Sequence, residues 1–121
     1  MKIIPFFKVR DIQEAIDFYI NILDFELKYP DESFDGWGVD LINGEAELQL
    51  SVVEGVAGLA VHVFVDDVDI LFEKYIQRGL NQSHRTESPV HLKPTNQTWG
   101  RREFYVTDPS GNTLRFATTI N

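Results

Sequence analysis

A short pattern occurs twice in this chain, and the repeat limits the fold more than any other feature of the sequence. The pattern Val-x-Asp-Ile/Val, with Tyr-Ile seven residues further on, starts at Val9 and again at Val65, 56 positions later. A repeat at fixed spacing predicts that one supersecondary unit occurs twice. We therefore expect one domain, 1–121, made of similar halves at about 1–54 and 59–121.

Each half follows the same predicted order of elements. A strand, at about 3–9 or 59–65, runs into Asp11 or Asp67 at a helix N-cap position, and apolar residues at helical spacing follow. Glu14 three residues after Asp11 fits a capping box. Alternating strand-like runs then follow, at 25–29, 37–42 and 45–53 in the first half and at 103–107 and 113–118 in the second.

These runs define the predicted fold class, which is α+β. Asn43-Gly44 is a strong two-residue hairpin signal, whereas residues 80–98 give a weak strand pattern and are expected to be mostly loop. Two β-α-β-β-β modules bury their helices and sheets most simply together. We predict a curved, open-sided, cup-like sheet of eight strands with the helices outside.

Composition and charge exclude several classes of function. The chain has 121 residues, of which 43% are hydrophobic, no cysteine, and a net charge of −8. No apolar run approaches the length of a membrane span or of a signal-peptide core, so a soluble cytoplasmic protein is expected. The negative charge repels nucleic acid and anionic membranes, and it either keeps the protein soluble or attracts a cationic ligand.

The C-terminal hairpin carries the most specific residue pattern. A Trp-Gly-x-x-Glu-Phe run from Trp99 to Phe104 leads into Asp-Pro-x-Gly-Asn-x-Leu-x-Phe, from Asp108 to Phe116. This combination resembles the glyoxalase/bleomycin resistance/dioxygenase superfamily, and within it the bleomycin resistance proteins. The first helix with its Phe-Tyr and the Leu-Asp-Phe after it are similar to the same family, although Asp24 stands where the family usually has Gly. The resemblance implies a cup-shaped sheet and dimerisation.

The resemblance also allows a test for a metal site. Metal-dependent superfamily members place ligands at four positions, and three of these fall on Ile4, Ala60 and Arg115. Neither Ile nor Ala offers a lone pair, and Arg brings a positive charge toward the ion. Only Glu47 or Gln49 remains as a ligand. We therefore predict no metal and no cofactor.

Side chains that face the cup are candidates for ligand binding. Alternation along the fourth strand turns Leu48 and Leu50 toward the helices and Gln49 and Ser51 toward the other side. The same argument turns His62 to the cup, as a hydrogen-bonded spacer, as a pocket wall, or as a group for acid/base or metal chemistry. An outward-facing strand surface is also mixed in polarity, so the pattern alone leaves both interpretations open. His84 and His91 are expected in surface loops.

Aromatic residues in turn-rich segments complete the candidate set. Phe34, Trp37 and Trp99 lie off the helical apolar stripes and match regions that form the clefts of bleomycin resistance proteins, and Glu103 offers a hydrogen bond. The first hypothesis is a homodimer that sequesters a cationic glycopeptide in clefts between subunits, without catalysis. The alternatives are a metal-dependent lyase, transferase or dioxygenase of the same superfamily, and a binder of another small molecule.

Overall fold

The computed structural model describes residues 1–31 and 36–120, which form eleven elements in the described ranges. In chain order they are β1 (Phe6–Lys8), α1 (Ile12–Asn21), β2 (Glu26–Leu27), β3 (Gly38–Asn43), β4 (Ala46–Ser51), β5 (Ala60–Phe64), α2 (Val68–Gln77), α3 (Pro89–Leu92), β6 (Thr95–Asn96), β7 (Arg101–Thr107) and β8 (Thr113–Thr119).

The eight described strands form two open, four-stranded sheets with the same topology. Their orders are β1-β4-β3-β2 and β5-β8-β7-β6. In each sheet the first strand lies parallel to the last, and the other pairings are antiparallel. The α+β class and the two β-α-β-β-β modules are therefore confirmed, and the second module carries the short helix α3 in addition.

The chain divides into two compact units that nearly coincide with the repeat. The first unit contains Met1–Leu59 together with the turn Asp108–Asn112, and the second contains Ala60–Thr107 and Thr113–Asn121. Grouping of both units into one domain stays a prediction. Within the described residues, no helix has the length and apolar character needed to cross a membrane.

The core of the first unit lies between α1 and one face of its sheet. Leu48 and Leu50 of β4 are buried there, as the alternation predicts, together with Tyr19 of α1. The helix begins at the Asp11 cap, whose carboxylate accepts from the Glu14 N–H at 2.8 Å. The Glu14 carboxylate contacts the Arg10 guanidinium at 2.7 Å, an ion pair that the capping-box pattern did not predict.

The core of the second unit is aromatic. Phe104 of β7 and Phe116 of β8 stack with ring centroids 5.0 Å apart, and Tyr75 of α2 packs edge-on against Phe116 at 5.5 Å. Burial in this apolar setting raises the pKa of Tyr75, so the phenol remains neutral at physiological pH. Since α2 covers this face, the opposite face of the sheet carries the polar residues.

The turn between β7 and β8 is a buried hydrogen-bonded cluster of the first unit. Asp108 is 4% exposed and accepts from the Ser110 and Asn112 N–H groups, both at 2.9 Å, and from the Tyr19 hydroxyl at 2.8 Å. Burial and the Asp108 charge raise the pKa of Tyr19 well above its usual value, so this hydroxyl stays a donor. Asp108 thus holds the tight turn of the C-terminal hairpin through its own side chain, and Gly111 supplies the positive φ of 94° that the turn requires.

One family position keeps its conformation, and one local expectation is revised. Asp24, which stands where the family usually has Gly, adopts the left-handed conformation with φ of 67°. Residues 80–98 contain α3 and β6, and His91 lies in α3 with only 7% exposure, so the prediction of a surface loop is wrong for this residue. His91 is buried because its ring nitrogens are satisfied by hydroxyl groups, Ser88 Oγ at 2.6 Å and Thr107 Oγ1 at 2.8 Å. Burial, then the positive charge of Arg85, lowers the His91 pKa.

Candidate functional site

A cleft of about 290 Å³ opens on the polar face of the first sheet. Cross-strand register places Phe6, Gln49 and Asp40 side by side on this face, in β1, β4 and β3. The cleft brings together three of the residues predicted from sequence with others that were not. Its lining is Phe6, Trp37, Gly38, Val39, Asp40, Gln49, Leu50, Ser51, Val53 and Glu54.

Acceptor groups dominate the polar part of the cleft. The Gln49 amide donates from Nε2 to Asp40 Oδ1 at 2.8 Å, which fixes the amide with its carbonyl oxygen as a remaining acceptor. Ser51 is 6% exposed, and its Oγ accepts from the Val53 and Glu54 N–H groups at 3.1 and 3.2 Å. With the carboxylates of Asp40 and Glu54, the cleft presents negative charge.

Two aromatic rings contribute to the apolar part of the cleft, beside three aliphatic side chains. Trp37 is 62% exposed at the start of β3, while its carbonyl accepts from the Val52 N–H at 2.8 Å and holds the backbone in place. Phe6 lies beside Gly55, where a Cβ atom would approach the Phe6 ring to 2.9 Å and the φ is +90°. The predicted ligand residue Phe34 lies outside the described residues.

The remaining predicted residues lie on the polar face of the second sheet. Glu103 is fully buried, and its carboxylate accepts from Trp99 Nε1 at 3.3 Å and from the Tyr105 hydroxyl at 3.1 Å. Trp99 itself is 54% exposed, so Glu103 orients a ring that faces solvent. His62 is exposed in β5, and its ring stacks on Phe64 with centroids 6.3 Å apart.

The donor set does not fit a metal ion. At the three family ligand positions stand Ile4, Ala60 and Arg115, and the Arg115 guanidinium lies 3.7 Å from Glu103. The remaining carboxylate, Glu47, forms ion pairs with the ammonium groups of Lys2 at 2.6 Å and Lys28 at 3.1 Å. The hydrogen bonds from these two groups lower the pKa of Glu47. Within residues 1–31 and 36–120, no group of three or more His, Asp or Glu side chains is placed to hold an ion.

Sequence reasoning missed several residues that line these surfaces. Phe6, Asp40 and Glu54 line the cleft of the first unit, and Arg115 with Tyr105 lies on the polar face of the second. The alternation of β3 puts Asp40 on the same face as the predicted Gln49 only once the register of β3 and β4 is known. The turn residues are Gly44 and Glu45, because Asn43 pairs with Ala46, so the predicted Asn43-Gly44 turn is one residue too early. A register counted from Asn43-Gly44 would have set Asp40 opposite Glu47 and not Gln49.

Two β-α-β-β-β modules of identical strand order, with a ligand-sized cleft on a polar sheet face, define a class of small α+β proteins built by duplication. This chain belongs to the glyoxalase/bleomycin resistance protein/dioxygenase superfamily, whose sequence profile matches residues 6–116. No curated protein sequence matches the chain significantly.

Solved structures of both binding proteins and enzymes share the fold. A bleomycin-binding protein from bleomycin-producing Streptomyces verticillus, solved with copper(II)-bleomycin, has 25% identity and a TM-score of 0.73, over 100% of this chain and 96% of that one. A bleomycin resistance determinant encoded on transposon Tn5 has 20% identity and a TM-score of 0.77, over 98% of each chain. A lactoylglutathione lyase from Agrobacterium tumefaciens has 16% identity and a TM-score of 0.72, over 97% and 92%.

Proposed function

We propose that this chain is a non-enzymatic binding protein that sequesters a cationic glycopeptide antibiotic of the bleomycin class, in clefts formed in a homodimer. The observation that carries the proposal is the cleft of the first unit, where the rings of Phe6 and Trp37 lie with the carboxylates of Asp40 and Glu54. A flat, positively charged ligand requires both groups, a surface for stacking and an anion for its charge.

The binding mechanism follows from the charge and the cleft. The net charge of −8 attracts a cation over a distance, and the carboxylates of the cleft favour it once it arrives. The exposed Trp37 ring stacks on the planar part of the ligand, and Gln49 and Ser51 hydrogen-bond its polar part. Sequestration needs no bond to be made or broken, so affinity alone protects the cell.

The second unit supplies the other contacts in this proposal. Trp99 and His62 are exposed rings on its polar face, and Glu103 holds Trp99 by the 3.3 Å hydrogen bond. We also include Phe34 as a ligand contact. Large exposed apolar side chains such as Ile3, at 84% exposure, support a homodimer, because a second copy would remove them from water.

Metal-dependent catalysis, the main alternative, is disfavoured by the side chains at the family ligand positions. Isoleucine, alanine and a guanidinium at Ile4, Ala60 and Arg115 cannot coordinate a divalent cation. A lactoylglutathione lyase shares the fold, but fold similarity does not transfer an activity. A different small cationic ligand would use the same cleft. The bleomycin titration below distinguishes these two possibilities, because a protein for another ligand would not bind bleomycin tightly.

Calorimetric titration of metal-free and copper-loaded bleomycin into chelator-treated protein tests the proposal. We expect one drug per subunit, a Kd well below ~100 μM, and unchanged drug on recovery by mass spectrometry. Trp37→Ala and Asp40→Asn should each weaken binding about tenfold. Asp17→Asn is the matched control, because Asp17 is an exposed carboxylate of α1 outside the cleft lining.

Tryptophan fluorescence locates the bound drug. Trp37→Phe and Trp99→Phe leave one indole each, since the chain has two tryptophans. Bleomycin should quench the remaining indole in both variants if both rings contact the ligand. The absence of binding at ~100 μM would contradict the sequestration proposal, because a sequestering protein must bind its target far more tightly.

A further inference from the structure

We propose that the polar face of the second sheet is a site for a planar aromatic oxyanion, a carboxylate or a phosphate on a flat ring, with Arg115 as the residue that binds the anion. The register aligns His62, Arg115 and Tyr105 across β5, β8 and β7 on this face. This ligand class differs from the cationic drug, for which the proposed function uses His62 and Trp99 of the same unit, and the anion proposal does not depend on drug binding.

The guanidinium of Arg115 is held in place by its neighbours, but they do not use all of its hydrogen-bond donors. It stacks over the Tyr105 ring at 4.6 Å, and its side chain is 29% exposed. Its ion pair with Glu103 has an N–O distance of 3.7 Å, which exceeds a hydrogen bond. Its buried Nε has no hydrogen-bond partner in the described part of the chain. The guanidinium therefore has hydrogen-bonding capacity that the described residues do not use, and the 29% of the side chain that is exposed is where an oxyanion would reach it.

Glu103 supports the arginine without neutralising it through a bidentate pair. Its two oxygens accept from Trp99 Nε1 at 3.3 Å and from the Tyr105 hydroxyl at 3.1 Å. The carboxylate is fully buried, so a ligand meets the guanidinium and not the anion behind it. Arginine offers a planar fork of donors that fits the two oxygens of a carboxylate or a phosphate.

The surroundings determine which oxyanion fits. Arg101 lies on the same face of β7, with its guanidinium 4.9 Å from the centre of the Phe64 ring, and adds a second positive charge. Phe64 is 56% exposed and stacks on His62 with an angle of 25° between the rings. Exposed flat rings beside two cationic groups favour a ligand that is both flat and anionic.

The test uses 2-naphthoate and 2-naphthyl phosphate as probes and 2-naphthamide as their uncharged counterpart. Calorimetry should give binding of at least one anion to the full chain, with the amide at least tenfold weaker. Arg115→Gln should weaken the anion at least tenfold, and Arg115→Lys should recover part of the loss, because the charge returns without the fork. The Arg115 Nε–H resonance should shift on titration. The tighter of the two anions identifies the oxyanion.

Arg102→Gln is the matched control. Arg102 is on the same strand but points to the other face, where it pairs with Asp69 at 2.9 Å, so its loss removes the same charge and should change anion binding less than twofold. If Arg115→Gln unfolds because Glu103 is left unpaired, the double variant Glu103→Gln/Arg115→Gln removes both charges and serves instead. Equal binding of anion and amide, or anion binding unaffected in the Arg115 variants, would overturn the proposal. The bleomycin titration tests the proposed function only, and its outcome does not decide the anion proposal.

Discussion

Asn112 shows how one residue of the family pattern acts on structure and not on ligand. The side chain is fully buried. Its Oδ1 accepts from the Gly58 and Leu59 N–H groups at 3.0 and 3.2 Å, and its Nδ2 donates to the Lys8 carbonyl at 2.9 Å and to Asp108 Oδ2 at 3.2 Å. Every hydrogen-bonding position of the amide is therefore used within the first unit.

Asn112→Asp should destabilise the protein by roughly 2–4 kcal/mol, because a carboxylate oxygen would face the Lys8 carbonyl and the Asp108 carboxylate where a donor is required. Urea unfolding at pH 8 measures the loss. Asn43→Asp is the control, since Asn43 is exposed at the end of β3 and the change is the same amide-to-carboxylate substitution. A free energy of unfolding within 0.5 kcal/mol of the wild type, on the order of a neutral surface change, would contradict this role for Asn112.

At this scale the sequence reveals local chemistry but not long-range partners. The turn formed by Asp108, Pro109 and Gly111 was predictable because each residue acts on its immediate neighbours. The four partners of Asn112 were not, since Lys8 is 104 positions away in the chain. Arg115 was interpreted from sequence only as an obstacle to a metal. Its stacking on Tyr105 depends on the register of β7 and β8.

Among the elements, the two main helices were the most predictable because their start signals are local. Asp11 and Asp67 cap α1 and α2 as the repeat predicts. The strands β2 and β6 have two residues each, and they exist because β3 and β7 supply their hydrogen-bond partners. No alternation can be read from two residues, and so the second of these strands was expected as loop.

The cap of α2 gives a prediction at the scale of the element. The Asp67 carboxylate accepts from the Asp69 and Ile70 N–H groups at 2.9 and 3.1 Å. Asp67→Ala leaves both donors without this acceptor and should lower the free energy of unfolding by about 1 kcal/mol. Asp66→Ala, one residue earlier and also exposed, removes the same charge without a cap. Equal losses in the two variants would show that charge, and not capping, is responsible.

For the whole molecule, the fold followed from the repeat, whereas the ligand depends on how side chains are grouped. Duplication predicts two modules of one topology, and the two strand orders confirm this. The predicted ligand residues divide between the units, with Trp37, Gln49 and Ser51 in the first and His62, Trp99 and Glu103 in the second. Composition shows the excess of negative charge, but the structure is needed to show that Asp40 and Glu54 line the cleft of the first unit. The register places Arg101 and Arg115 together on the polar face of the second sheet.

The net charge leads to a prediction about association kinetics. Attraction between a protein of charge −8 and a cationic drug acts before contact, so it raises the association rate and is screened by salt. Raising NaCl from 10 to 100 mM shortens the Debye length from about 30 to about 10 Å and should slow copper-bleomycin association several-fold, with little change in dissociation. Stopped-flow quenching of tryptophan fluorescence measures both rates.

Two variants distinguish the effect of the protein's overall electrostatic field on binding from the effect of direct contacts in the cleft. Asp17→Asn lies outside the cleft lining and should lower only the association rate slightly, whereas Asp40→Asn should mainly raise the dissociation rate, because it removes an anion beside the bound ligand. If salt leaves the association rate unchanged, the acidity of the chain has no part in capture. The excess of negative charge then serves solubility, and recognition rests on the rings and the few carboxylates that the cleft itself brings together.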